Sequence, residues 1–148
     1  MHKALLAATC FNLLIAGAAG AQVNTTDLKW GPAPAKFPTG AQMAVLHGDP
    51  TKAGLFVIRL KIPAGYRIPP HNHPTDEIVT VISGDMSLGM GDKVNMSKSA
   101  QLRAGGFAVA PAHMNHYAWS KAGGVVQVGA QGPFAMTYVN PADDPTRH

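Results

Sequence analysis

The sequence predicts an all-β domain, a small sandwich or barrel, on three observations. Residues 55–62 alternate apolar and polar side chains, as a strand with one buried face must. The 148 residues include 16 glycines and 12 prolines, which interrupt the chain too often for long helices. Between these interruptions, no segment reads as a helix of ordinary length. One domain is expected at this length. Charged residues make up 14%, against about 25% in typical soluble domains. The net charge is +4, but Lys and Arg form no cluster, so binding to nucleic acid through a basic patch is not expected.

Residues 1–21 read MHKALLAATCFNLLIAGAAGA. Lys3 supplies a positive start, an uncharged apolar run follows, and Ala19-Gly20-Ala21 fits a small-residue cleavage site with Gln22 as the new terminus. The run is short for a membrane anchor, and Cys10 lies too early in it for a lipid-attachment site. The expected product is a periplasmic or secreted chain, 22–148, with no membrane contact after cleavage. Losing Lys3 lowers the net charge from +4 to +3, and losing Cys10 leaves no cysteine. Thiol catalysis and disulfides are then excluded, and any metal must be held by His, carboxylate or carbonyl groups.

In chain order, residues 22–40 form an extended, Pro-rich lead-in. Gln42 to His47 is a short strand closed by Gly48-Asp49-Pro50. Leu55 to Ile62 follows, with Phe56, Ile58, Leu60 and Ile62 on one face and Arg59 and Lys61 on the other. Glu77 to Ser83 is a second strong strand, and Met86 to Met90 is expected to fold back on it across Gly84-Asp85. Residues 91–105 are weakly patterned. Phe107 to Ala110, His116 to Ser120, Val125 to Ala130 and Phe134 to Val139 complete about nine strands. The polar tail, residues 140–148, is expected to fray.

Four of the six histidines after residue 21 fall in two windows. His71 and His73 stand at i and i+2, on one face of a strand, with Glu77 four residues on. That carboxylate is expected to return beside the rings as the next strand pairs back. Pro111 to His116 brings His113 and His116 from a distant strand. Imidazoles with a carboxylate and no thiolate suit Zn, Fe, Mn, Ni or Cu.

The segment from Gly65 to Gly84, with His71, His73 and Glu77 between them, resembles the first motif of the cupin superfamily, G-x5-H-x-H-x3-E-x6-G, at every fixed position. The second motif, G-x5-P-x-G-x2-H-x3-N, is matched by Gly105, Pro111 and His116, while His113 replaces a usual Gly and Ser120 a usual Asn. The motifs and their spacer span residues 65–120. The resemblance implies a double-stranded β-helix, a jelly-roll-like barrel, with one divalent transition metal held by His71, His73, Glu77 and His116. Glu77 would also accept a proton when loosened from the metal. His113 is open to three roles: a base behind the ligands, an alternative ligand, or an ordinary turn residue. It tolerates positive φ, and we expect it at the pocket rim, outside the ligand set, exchanging protons near neutral pH.

Cupins include dioxygenases, other oxidases, isomerases, lyases and non-catalytic binding modules, and the fold does not choose among them. A dioxygenase-like enzyme on a small, partly apolar molecule is the expected function. A binding or sensing module and a Zn or Ni lyase or isomerase are the alternatives. Phe56, Ile58, Val79, Val81, Met86, Met90 and Met136 are expected around the pocket. Tyr117 and Trp119 are expected to face away from it, toward a partner in a homodimer or beneath the lead-in near Trp30.

Overall fold

Alternation in the central strands decides the architecture. The computed structural model describes residues 22–147; the expected export signal lies outside them. Ten strands form: β1 (Gly31–Pro32), β2 (Gln42–His47), β3 (Gly54–Ile62), β4 (Arg67–Asn72), β5 (Glu77–Met90), β6 (Ala100–Arg103), β7 (Phe107–Ala110), β8 (His116–Trp119), β9 (Gly124–Gly132) and β10 (Thr137–Tyr138). Every pairing among them is antiparallel. Phe56, Ile58, Leu60 and Ile62 all point inward and are buried, as their alternation predicts. Lys61 faces outward, 5.7 Å over the Trp30 ring.

Two sheets face each other. One runs β1-β2-β3-β9-β5-β7, the other β10-β4-β8-β5-β6. They share β5, which corrects the expected hairpin at Gly84-Asp85. Residues 77–84 pair with β7 and β9, and residues 85–90 pair with β6 and β8. The chain does not reverse; it passes from one sheet to the other. Gly84 makes the passage possible. Its φ is +76°, and an added Cβ would collide with the carbonyl oxygen of Gly123, so only glycine admits this approach.

The lead-in is strapped to the barrel rather than loose. Phe37 enters the core. The Tyr66 hydroxyl donates to the Pro38 carbonyl at 2.8 Å, and the Tyr138 hydroxyl to that of Lys36 at 2.7 Å. Among the described residues, the tail folds back onto the chain instead of fraying. Two 3-10 turns, Pro141–Asp143 and Pro145–Arg147, carry Asp144 to an ion pair with Lys36. Of the expected strand over Phe134–Val139, only Thr137–Tyr138 pairs, against His71 and Asn72. The weakly patterned stretch holds a 3-10 turn at Met96–Lys98 and then β6.

That stretch also explains Tyr117, which is 1% exposed. Its hydroxyl accepts from the Asn95 N–H at 2.8 Å and donates to the Asn95 carbonyl at 3.0 Å. Tyr117 is therefore covered by its own chain, at Asn95. Met90 is 44% exposed, which removes it from the expected pocket lining.

Candidate metal centre

The histidines meet where the second sheet comes closest to the start of β5. His71 and His116 are register partners across β4 and β8. His73 follows β4 directly, and its ring lies 4.9 Å from that of His71 and 5.2 Å from that of His116, centroid to centroid. All three are buried. Among the described residues, this is the one group of three potential metal-binding side chains whose ligand atoms lie within 4.8 Å of one another.

Backbone carbonyls orient each ring. The Nδ1 of His71 lies 2.8 Å from the Pro69 oxygen, that of His73 2.7 Å from Ala135, and that of His116 3.0 Å from Met114. A carbonyl only accepts, so each Nδ1 carries the proton and each Nε2 keeps a lone pair. The Nε2 atoms of His73 and His116 are buried and have no hydrogen-bond partner. Burial pushes His71 down to about 3, helped by the neighbouring His116 and His73 rings, and burial also lowers His73. These two rings are neutral at neutral pH.

Glu77 reaches the cluster by an unexpected route. Its strand does not pair back on β4; it opens in the facing sheet, opposite Ala110 of β7. Its Oε2 still lies 3.4 Å from His116 Nε2 and 3.6 Å from His73 Nε2. A carboxylate beside outward-facing lone pairs is an arrangement that a cation satisfies. His71, His73 and His116, with Glu77 beside them, could hold a divalent metal.

His113 is exposed and stands outside this group. Its φ is +61°, so it occupies the left-handed turn that the family pattern reserves for Gly. Its N–H donates to the His73 carbonyl at 2.8 Å, tying the turn to the chain beside the cluster. Ser120 is buried. Its hydroxyl donates to Asp85 and accepts from the Gly123 N–H, both at 2.8 Å.

Sequence reasoning missed two contributors. Phe134 stacks on the His73 ring, centroids 4.6 Å apart and planes 28° from parallel. Ala135 supplies the carbonyl that orients His73, 62 positions away in the chain. The sequence reads both only as part of a strand, which does not state that they meet His73. The enclosed space beside the cluster is small, about 30 Å3, with walls that include Val79, Met86, Leu88 and Met136.

Residues 21–137 match the family described as "Domain of unknown function (DUF4437)", a cupin-like domain. A search among curated proteins finds no match. Among solved structures, the chain is similar to the polyketide cyclase RemF from Streptomyces resistomycificus, with TM-score 0.68 and 19% identity over 84% of this chain and 88% of that one. A putative acetylacetone dioxygenase from Methylibium petroleiphilum gives 0.65 and 22% over 98% and 90%. An RmlC-like cupin from Shewanella frigidimarina gives 0.57 and 15% over 74% and 87%. At these identities the likeness concerns the fold, which is the cupin double-stranded β-helix.

Proposed function

The chain belongs to the DUF4437 family, and from that premise we propose that it is an exported metal-binding protein acting on a small, partly apolar organic molecule, in the manner of a metal-dependent dioxygenase. One observation carries the metal reading: two buried Nε2 atoms, on His73 and His116, have no partner and face Glu77. His71, His73, His116 and Glu77 would be the ligands. The nitrogen and oxygen donors suit Fe, Mn, Ni, Cu or Zn. When bound, such a metal supplies Lewis-acid polarisation and open positions for an oxygen donor.

The chain's own groups do the rest. Carbonyls of residues 69, 114 and 135 fix the ring orientations, which keeps the donor set in place. The apolar walls limit water near the reacting atoms. Glu77 Oε2 lies where it accepts a proton from a bound molecule when it is not itself a ligand. The likeness to a putative acetylacetone dioxygenase leads us to place an oxygen-dependent reaction first. The small enclosed space favours a second reading, a binding module in which the metal only organises the site.

Metal analysis of purified protein tests the reading. One equivalent of transition metal is expected, and His71→Ala with His73→Ala should abolish it. Stoichiometric metal in that double variant refutes the ligand set. Oxygen uptake separates the enzyme from the binding module. The intact mass of the exported material should begin at Gln22; retention of residues 1–21 overturns the processing.

A further inference from the structure

The space beside the histidines, about 30 Å3, holds one or two water molecules. A donor group fits there, but the remainder of an organic ligand does not. That remainder needs adjoining volume, and three hollows share walls with the cavity. The hollow beside Tyr117 shares Ile68 and Ala118 with it. These two are register partners across β4 and β8, so a hydrogen-bonded sheet separates the spaces. A second hollow shares Met136 alone and is walled by Lys36, Asp144 and Arg147, a charged setting.

The third differs from both. It is a groove of about 340 Å3 between the lead-in and the loop after β9, and it shares Phe37 and Met136 with the cavity. Both lie on loops rather than strands, so the wall between the two spaces is made of side chains and not of a hydrogen-bonded sheet. Phe134 lines the groove beside that shared wall. It stacks on His73, on Phe37 at 6.1 Å, and edge-on against Phe56 at 5.5 Å. The groove's one charged lining residue, Lys36, is neutralised by Asp144. Its volume lies within the range of small-molecule sites.

We propose that this groove binds the flat, uncharged apolar part of the ligand, while the ligand's oxygen donor passes Phe134, Phe37 and Met136 to the histidines. The ligand class is a small aryl carbonyl or aryl hydroxy compound. A phosphorylated molecule is not accommodated, because no free cation lines the groove. The proposal rests on the metal reading for the donor end only; the groove itself is present without it.

Two measurements test it. With methionine methyls labelled, benzamide added to metal-free protein should shift Met43 and Met136, which line the groove, and leave the exposed Met96 and Met114 in place. Acetamide should shift none. In the cobalt-loaded protein, the visible spectrum should report benzohydroxamate binding about 10- to 100-fold tighter than acetohydroxamate, the gain expected from burying a phenyl in place of a methyl. Thr51→Trp, at the exposed rim, should fill the groove and erase that preference while acetohydroxamate still binds. Silent groove methyls, or equal affinities for the two hydroxamates, overturn the groove. Shifted methyls with no cobalt uptake support the groove and refute the metal reading instead.

Discussion

Ser120→Ala should destabilise the fold by about 2 kcal/mol without touching the metal centre. The hydroxyl bridges two partners. It donates to Asp85 at 2.8 Å and accepts from the Gly123 N–H at 2.8 Å in a buried setting. Asp85 also receives the N–H groups of Ala122 at 2.8 Å and Lys121 at 3.1 Å, so the carboxylate organises the turn that brings Gly123 against Gly84. Alanine leaves a buried N–H without an acceptor, a loss of about 1–3 kcal/mol. With a urea slope of about 1–3 kcal/mol per molar, the unfolding midpoint should fall by about 1 M at unchanged slope. Tryptophan fluorescence at neutral pH reads it. The Asp85 carboxyl is held below its ordinary 3.8, chiefly by the Ala122 N–H, with Ser120 and Lys121 adding to it. A depressed carboxyl stabilises fully above its unfolded pKa and loses that contribution as pH falls through the folded one. The gap between wild type and Ser120→Ala should therefore narrow below pH 3.8. An unchanged midpoint at neutral pH refutes the bridging role.

Further outcomes follow from the same geometry. His113→Gly should leave metal content unchanged and stability within about 1 kcal/mol, whereas His113→Val at this positive φ should cost about 1–3 kcal/mol, read by chemical unfolding. His113→Gly should still alter ligand affinity; loss of metal instead would place His113 among the ligands. Tyr66→Phe and Tyr138→Phe should each cost about 1 kcal/mol, and together should expose the strap over residues 33–40 to limited proteolysis. Gly84→Ala should cost about 3 kcal/mol or more, or prevent folding, as judged by soluble yield and circular dichroism. Metal at about 100 times its dissociation constant should raise stability by about 2.7 kcal/mol, and a chelator should reverse the gain.

Local pattern made the histidines legible. Spacing at i and i+2 states which face two side chains share, and His71 and His73 do lie together. Alternation likewise placed Phe56, Ile58, Leu60 and Ile62 inside. Other readings failed where one local signal serves two purposes. Gly84-Asp85 reads as a turn because glycine with positive φ makes turns; here the same freedom lets two backbones touch as β5 changes sheets. Alternation sent Tyr117 away from the core, but it cannot state what lies over that face, and Asn95, 22 positions earlier, covers it. The tail looked free because it is polar, yet Asp144 finds Lys36 108 positions away. Phe134 and Ala135 sit in a stretch that alternates like a strand, and alternation does not state which distant residue they meet, so their place beside His73 depends on long-range packing.

Glu77 draws the two sheets into one site. Hairpin pairing would have set all four groups on neighbouring strands of one sheet, and a metal there would brace a single layer. Instead His71 and His116 project from β4 and β8, while Glu77 opens β5 in the facing sheet. A cation shared by these groups would fasten one layer to the other. His73 completes the ring from the loop after β4, held by the Ala135 carbonyl beside Phe134. The groove wall at Phe134 and the proposed ligand His73 are thus in direct contact. If Phe134 moves to admit a ligand, the packing of the His73 ring changes with it; on the proposed reading, groove occupancy and metal affinity would then be coupled, and by thermodynamic linkage each would alter the other by the same factor.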